Sequence, residues 1–500
     1  MGANNEIEKE ISVLKGDKLF NQNTPFIINI NTPKLAKAEK KSNADLICVI
    51  DISYSMSGEK IELVKKSLKV LVKMMDEHDR LALVLFESKA SIFFDLDYMI
   101  ERRKNELISK INKISVSGGT NILSGLKEAI GILKKIKNDK KDKNEKRASS
   151  ILLLSDGCDN DYKDANLIGQ EFKNLYKGEN LSFTLNTFGY GDDHDPKIMN
   201  KLANIRDGSF FYVQDFEKVS SYFVTVLGGC VSVISEDVKI NIKLLNQHCE
   251  IVKVFGEDNM YYHELEPHIF KTKILQLLCD KEYTFVLEIK INEKEIKVGE
   301  DILYVEVIHK DMNLDNKFIK KKYTYKYQIS DPQIDKANEE YIRSQVYFIL
   351  DEALKLRENH KDKKAKDLLT NMEDWIKKNY KGNNKFYLED ILKSKRLFED
   401  DYIFQNKGIA FAKSNINQKI HKRFGNDDMY KNCNMEYYCE KALYVDDDDD
   451  VDNVDDVKDA DDNNRNQIDH DLKDNNYIVD EILNNDDYNC NNIERNMIDF

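Results

Sequence analysis

This 500-residue sequence has few cysteines, and their spacing fits neither a metal site nor a redox motif. Its eight cysteines include no C-x-x-C pair and no zinc-finger spacing, and several lie inside apolar runs, as Cys48 does within Leu46–Val49. Buried free thiols are typical of proteins in a reducing compartment. The sequence therefore predicts structural cysteines, and it argues against a disulfide framework, a zinc finger and an extracellular adhesion protein.

Membrane and export signals are also lacking. No run approaches the roughly 18 apolar residues that a membrane span needs. Residues 1–10 are polar, without the apolar centre of a signal peptide. Met1-Gly2 permits N-myristoylation, but Glu6 stands where that motif needs Ser or Thr. We therefore expect a cytoplasmic protein with no membrane span.

The acidic charge of the chain is concentrated at its end. The net charge is −14, but residues 445–500 alone hold 20 acidic and 4 basic side chains, which leaves +2 for residues 1–444. Residues 1–444 therefore have no strong positive potential that would attract nucleic acid, and we expect no nucleic-acid partner. Residues 431–500 are predicted to be a disordered acidic tail, because like charge with few apolar residues cannot offset the ordering entropy.

Apolar periodicity predicts three folded regions. Over residues 42–229, buried strands such as Leu46–Ile50 alternate with amphipathic helices, which is typical of a Rossmann-like α/β fold with a doubly wound parallel sheet. Residues 230–330 contain alternating β-branched segments and predict an antiparallel, sandwich-like domain. Residues 331–430 have helical spacing with a polar turn at 359–362, which predicts a domain built on a helical hairpin.

Carboxylate and hydroxyl side chains follow two of the predicted strands and one glycine loop, at the edge where the ends of parallel strands meet. Five of them form a candidate metal site: Asp51, Ser53, Ser55, Thr120 and Asp156. The spacing of the first three lets one turning loop aim three oxygens inward, and Gly118-Gly119 lets the Thr120 hydroxyl approach closely. Oxygen ligands without His or Cys favour Mg²⁺ over Zn²⁺, and Mn²⁺ or Ca²⁺ could take its place. Alternatively, Ser53 and Ser55 merely cap the following helix.

The order of these motifs, D-x-S-x-S, then G-G-T-N, then S-D-G, resembles the metal-ion-dependent adhesion site of von Willebrand factor type A domains. The stretches 187–195 and 207–213 look like the fifth and sixth strands of that family. Tyr54 departs from the pattern, since the family usually has Gly there, and its side chain could narrow access to the site or contact a partner. The resemblance implies a Mg²⁺ ion on the five side chains, with Asp156 often acting through water and one position free for a partner's Asp or Glu carboxylate.

A more specific likeness is to intracellular members with a further C-terminal domain, as in plant WAVY GROWTH-type ubiquitin ligases. It implies that the short strand Pro25–Asn31, within an N-terminal arm of residues 1–41, joins the later β-domain, so that the A domain is an insertion. Residues 1–20 of that arm are polar and predicted to fray. The first 47 residues contain no cysteine, so the RING finger of those ligases, and with it their activity, does not carry over.

The sequence favours a non-catalytic adaptor that binds a protein partner through Mg²⁺, within a ubiquitin-ligase-related or another multiprotein complex. It leaves the partner and the oligomeric state open. The alternative is a Mg²⁺-dependent hydrolase that uses the same ion and needs a general base near Asp51 or Asp156. Other chemistry is less favoured: Asp51-Ile52-Ser53 lacks the second Asp of phosphatase D-x-D loops, and Cys158 would need His194 as a positioned base to act as a nucleophile.

Overall fold

The computed structural model describes residues 11–33, 42–138, 146–191, 194–214, 216, 218–256, 262–312, 317–380, 385–404 and 408–420. The acidic tail that the sequence predicts to be disordered, residues 431–500, lies outside this range. The chain divides into two compact units. The first contains the described residues up to Asp351 and those from Ile409 onward, and the second contains the described part of Glu352–Gly408. No helix in the described range is long and apolar enough to cross a membrane.

Two antiparallel strands come first, β1 (Ile11–Lys15) and β2 (Thr24–Asn31), with Val13 opposite Ile28. The polar composition of residues 1–20 predicts a frayed arm, and this prediction is wrong for β1. Ile11 and Val13 pack in the core of the sandwich, and the adjacent Leu14 is buried in a separate cluster with Ile27 and Tyr341. Burial on both faces, together with pairing to β2, fixes the segment although its flanks are polar.

An α/β unit follows. Its elements in chain order are β3 (Asn43–Asp51), α1 (Glu59–Met74), β4 (Arg80–Phe86), β5 (Ala90–Tyr98), α2 (Glu101–Ile111), α3 (Ile122–Asn138), β6 (Arg147–Ser155), α4 (Ala165–Leu175), β7 (Thr184–Tyr190), α5 (Pro196–Ile205), β8 (Phe210–Val213) and α6 (Val219–Val231). The six described strands form one sheet in the order β5-β4-β3-β6-β7-β8. Neighbouring strands are parallel, except that β5 returns antiparallel beside β4. The predicted doubly wound sheet is confirmed.

Helices cover both faces of this sheet, which is why its central strand is apolar without interruption. On one face Cys48 and Ile50 pack in a buried layer with Leu68 of α1. On the other face Val49 packs with Leu126 of α3. Burial of each large apolar side chain stabilises the fold by about 1.5–3 kcal/mol. The two layers clamp β3, and they thereby fix where its carboxyl end lies.

A sandwich of two antiparallel sheets comes next. Its later strands are β9 (Val233–Leu244), β10 (Cys249–Val254), β11 (Tyr262–Glu266), β12 (Ile269–Leu278), β13 (Glu282–Ile291), β14 (Asp301–Asp311) and β15 (Lys317–Lys326). The strand orders are β1-β2-β13-β10 and β11-β12-β9-β14-β15. Phe26 of β2 lies opposite Leu287 of β13, and both pack against Ile240 and Val305 of the other sheet. Because β2 precedes the α/β unit and β13 follows it, the α/β unit is inserted into the sandwich.

The remaining elements are the helices α7 (Ile334–Glu358), α8 (Asp362–Asn379), α9 (Lys385–Leu397), α10 (Asp401–Ile403) and α11 (Ile409–Ile420). In the second unit, Glu373 of α8 forms ion pairs with Lys377 and Lys395. The sequence predicts residues 331–430 as one helical domain, and the structure differs. The Ser414 hydroxyl of α11 donates a hydrogen bond to the Phe210 carbonyl of β8 over 3.0 Å, so α11 belongs with the α/β unit.

Candidate metal centre

Three loops are joined by hydrogen bonds at the carboxyl ends of β3 and β6. The amide of Ser117 donates to the Ile52 carbonyl over 2.6 Å, and the amide of Tyr54 donates to the Gly118 carbonyl over 3.2 Å. The amide of Asn160 donates to the Thr120 carbonyl over 3.0 Å. The loop after β3 is thus tied to the glycine loop, and the glycine loop to the loop after β6. All five predicted site residues lie on these three loops or at the strand end that opens them.

Asp51 is the last residue of β3 and has no exposed surface. The amide of Ser53 donates to its Oδ1 over 2.9 Å, and the hydroxyl of Ser155 donates to its Oδ2 over 2.5 Å. The hydroxyls of Ser53 and Ser55 are hydrogen-bonded to each other over 3.0 Å, with Ser53 buried and Ser55 at the surface. The Asp51, Ser53 and Ser55 side chains therefore form one connected set that runs from the interior to solvent.

The helix-capping interpretation of the two serines does not hold. Ser53 precedes a short 3₁₀ turn, Tyr54–Met56, but its side chain makes no capping hydrogen bond. Helix α1 begins after Gly58, three residues beyond Ser55, and Gly58 has no side chain to cap it. Instead, the two hydroxyls of the D-x-S-x-S loop are hydrogen-bonded to each other, and that of Ser53 also interacts with the Asp51 carboxyl group.

Asp156 directly follows β6 and is also fully buried. Its Oδ1 accepts a hydrogen bond from the Cys158 amide over 3.2 Å, and its Oδ2 lies 3.2 Å from the ammonium nitrogen of Lys60. Its carbonyl accepts from the Asp195 amide over 2.7 Å, which ties this loop to the start of α5. Lys60 was not predicted from the sequence as a site residue, although it lies in the first turn of α1, directly after the D-x-S-x-S loop.

Thr120 is 4% exposed and follows two glycines that bring its loop close to the neighbouring ones. Gly118 has a φ of 68°, and a Cβ there would lie 2.0 Å from Glu87 Oε2. A Cβ on Gly119 would lie 2.3 Å from Asn160 Nδ2. The positive φ favours glycine at position 118, whereas a Cβ at position 119 would require the Asn160 side chain to move. The contact with Asn160 keeps the Thr120 loop beside the loop that carries Asp156.

Burial raises the pKa of Asp51 to about 6; hydrogen bonds from Ser155 and Ser53 oppose this shift, and the nearby charge of Asp156 adds to it. Two buried carboxyl groups within each other's field need compensating positive charge. Two carboxylates and three hydroxyls match the oxygen donors that Mg²⁺ prefers. Among the residues that the structure describes, no cluster of three or more His, Cys, Asp and Glu side chains could hold a metal ion. The five predicted site residues thus offer oxygen donors alone, which fit a hard cation such as Mg²⁺.

Two further residues singled out in the sequence, His194 and Tyr54, differ in their surroundings. The His194 Nδ1 atom is 2.6 Å from the Gly191 carbonyl oxygen, and its ring lies 4.7 Å from that of Tyr212, between centroids. His194 is thus packed into the α5 side of the fold. Tyr54, the residue of the D-x-S-x-S motif that departs from the pattern expected from the sequence, is 67% exposed. Its ring projects to solvent from the loop that follows Asp51.

Comparison with known proteins supports the fold. Residues 45–224 match the family model of the von Willebrand factor type A domain. An uncharacterized protein of Synechocystis is 25% identical over 296 residues, which cover 57% of this chain and 67% of that protein. A solved structure described as von Willebrand factor type A from Catenulispora acidiphila has a TM-score of 0.59 at 15% identity, covering 82% of this chain and 96% of its own. That likeness extends well beyond residues 45–224.

The E3 ubiquitin-protein ligase WAV3 of Arabidopsis thaliana is 26% identical over 125 residues, only 25% of this chain and 16% of that protein. The likeness to the WAVY GROWTH-type proteins therefore rests on a short region. This chain also spans 35% or less of the length of several other relatives. The similarity thus supports a shared domain and not a shared whole protein.

Proposed function

We propose that this chain, whose residues 45–224 form a von Willebrand factor type A domain, is an adaptor that captures a protein partner through a Mg²⁺ ion. The ion would be held by Asp51, Ser53, Ser55, Thr120 and Asp156. Domains of this type are generally protein-interaction modules. The observation that carries the proposal is the joining of three oxygen-bearing loops around two buried carboxyl groups, Asp51 and Asp156.

A bound Mg²⁺ would supply a concentrated positive charge with a position open to an Asp or Glu carboxylate of the partner. Mn²⁺ or Ca²⁺ could take the same place. The role of the chain itself is to hold the ligands: the Ser155 hydroxyl orients Asp51, and the Cys158 amide orients Asp156. Tyr54 would lie beside the bound partner because it projects from the same loop.

The sandwich and the helices would connect the captured partner to a larger assembly. An assembly with a separate ubiquitin ligase fits the limited likeness to WAV3. The cytoplasm is the compartment we propose, because the described cysteines are free thiols and most of them are buried. No nucleic-acid partner is part of this function.

Affinity purification with the full chain as bait, with and without EDTA, tests the proposal. We expect EDTA and Asp51→Ala each to remove the captured partner, and EDTA to have no further effect on the variant. Asp161→Ala is the matched control, since Asp161 lies on the same rim and pairs with the Asn121 amide but is not a proposed ligand. Equal recovery with wild type and Asp51→Ala, unaffected by EDTA, would refute the adaptor function.

The hydrolase alternative is tested with the same proteins. The adaptor proposal expects no turnover of phosphoester or peptide substrates with Mg²⁺ or Mn²⁺. Turnover by the wild type that is lost in Asp51→Ala would replace the adaptor with an enzyme that uses the same ion.

A further inference from the structure

Lys60 places a positive charge beside Asp156, which is a predicted metal ligand. Its ammonium nitrogen lies 3.2 Å from Asp156 Oδ2, and the Asp156 side chain has no exposed surface. Lys60 is the second residue of α1, close to the helix N-terminus. A cation in the first turn opposes the helix dipole. Its position is therefore not favoured by the helix, and the contact with Asp156 compensates for it.

The charges of the site explain why a lysine would be useful there. Asp51 and Asp156 interact with each other electrostatically, and both are buried. Without a bound ion, two buried carboxylates would repel each other and lack a counter-charge. The ammonium of Lys60 supplies one positive charge at the Asp156 end of this pair. The ammonium thus supplies part of the positive charge that a bound divalent cation would supply.

We infer that Lys60 is a tethered cation that holds Asp156 in the metal-free site and is displaced from it when Mg²⁺ binds. This inference rests on the proposed metal-dependent function, and it adds a residue that sets the affinity and the occupancy of that site. A Mg²⁺ ion that uses Asp156 would approach the ammonium closely, and like charges at such a distance repel. The flexible four-carbon stem of lysine allows the ammonium to move away, and its side chain is already 17% exposed.

Two effects of opposite sign follow for Lys60→Met, which keeps the stem and removes the charge. Mg²⁺ affinity rises, because the ion no longer competes with the ammonium. The metal-free protein becomes less stable, because Asp156 loses its counter-charge while it stays buried. A residue with a purely structural role would lower stability with and without metal alike, and would not tighten metal binding.

The experiment is titration calorimetry with MgCl₂ on the full chain, together with thermal unfolding in EDTA and in excess Mg²⁺. We expect Lys60→Met to bind Mg²⁺ roughly fivefold more tightly than the wild type, the upper end of the factor for one ion pair that is open to solvent. Its Tm should be lower in EDTA, and its Mg²⁺-induced rise in Tm should be larger. Lys60→Arg keeps the charge and should bind Mg²⁺ no more tightly than the wild type.

Lys163→Met is the matched control. The ammonium of Lys163 donates to the Asp159 carbonyl in the loop that follows Asp156, so this variant removes a charge from the same loop without touching a predicted ligand. We expect wild-type Mg²⁺ affinity for it. Equal Mg²⁺ affinity of Lys60→Met and wild type would overturn the inference and leave the proposed function standing. Failure of the wild type and every variant to bind Mg²⁺ would overturn both, whereas binding by Lys60→Met alone would support the inference.

Discussion

At the scale of single residues, the site depends on side chains that hold the predicted ligands in place. Asp51 accepts hydrogen bonds at both of its oxygens, and one of them comes from the Ser155 hydroxyl on the neighbouring strand. The Gly157 amide donates to the same hydroxyl oxygen over 2.9 Å, which orients it. Loss of a group that orients a metal ligand in this way typically lowers metal affinity by roughly 10- to 100-fold.

Ser155→Ala removes the hydroxyl that holds Asp51 Oδ2. We expect a roughly 10- to 100-fold loss of Mg²⁺ affinity, the usual effect of losing a group that orients a ligand, measured by titration calorimetry. Ser150→Ala is the control on the same strand, because its hydroxyl accepts hydrogen bonds from Thr184 and Asn186 away from the site. It should lower the free energy of unfolding by about 1 kcal/mol and leave Mg²⁺ affinity unchanged. Unaltered Mg²⁺ affinity in Ser155→Ala would show that Ser155 does not position Asp51 for the ion.

Lys281, at the turn between β12 and β13, gives a prediction about pH. Burial lowers the pKa of its amine to about 8, against the opposing charge of Asp280. The folded state therefore binds the proton less tightly than the unfolded state, whose lysine has a pKa of about 10.4. Burying the charged amine therefore lowers the free energy of unfolding by its full amount below pH 8. This loss disappears as the pH rises from 8 toward 10.5, because the amine is then neutral in both states.

The comparison of wild type with Lys281→Met isolates this effect from other titrating groups. Denaturant unfolding at pH 7 and at pH 10 should show the wild type gaining on the variant by about 2 kcal/mol over that interval. A difference between the two proteins that is the same at both pH values would show that the Lys281 amine is not disfavoured by burial.

At the scale of elements, helix α3 shows how closely the sheet under the site is packed. A Cβ on Gly125 would lie 2.6 Å from Val49 Cγ1 and 2.8 Å from Phe86 Cδ1, whereas a Cβ on Gly131 would meet nothing within 4 Å. Gly131→Ala should therefore raise the free energy of unfolding by up to about 1 kcal/mol through helix propensity. Gly125→Ala should lower it by about 1–3 kcal/mol through overpacking against β3 and β4. Equal effects of the two substitutions in a denaturant titration would contradict this packing.

The elements that periodicity predicts are those whose pattern is repeated and strong. The continuous apolar run of β3 and the alternation along β9 and β14 predict the parallel sheet and the sandwich. The five residues of β1 are too few for such a pattern to stand out between polar flanks. The contact of Ser414 with β8 depends on which surface receives α11, and an amphipathic pattern does not specify its partner. The roles of Ser155 and Lys60 are not predicted from the sequence for the same reason, because they depend on contacts across loops.

At the scale of the whole molecule, the α/β unit and the sandwich are connected by more than the two chain crossings that the insertion requires. The Ser42 hydroxyl donates to the Val233 carbonyl over 2.9 Å, and the Ser182 hydroxyl donates to Glu236 Oε1 over 2.6 Å. Asp207 Oδ2 accepts from the Leu275 amide over 3.2 Å. These bonds join the amino ends of β3, β7 and β8 to the sandwich, at the edge of the sheet opposite the candidate metal centre.

We expect these two parts to unfold cooperatively, and the stabilisation by bound Mg²⁺ makes this cooperativity measurable. A ligand that binds only the folded state adds about 2.7 kcal/mol at a concentration 100 times its Kd. Amides that exchange only through global unfolding should then be slowed roughly 100-fold. If the α/β unit and the sandwich unfold together, the slowing in hydrogen exchange should be equal in β3, which ends at the site, and in β2 and β13, which lie outside the α/β unit. Asp51→Ala should show no slowing in either part. Protection confined to the strands of the α/β unit would mean that the sandwich opens on its own, and that a partner bound at the metal could not stabilise the surface that attaches it to an assembly.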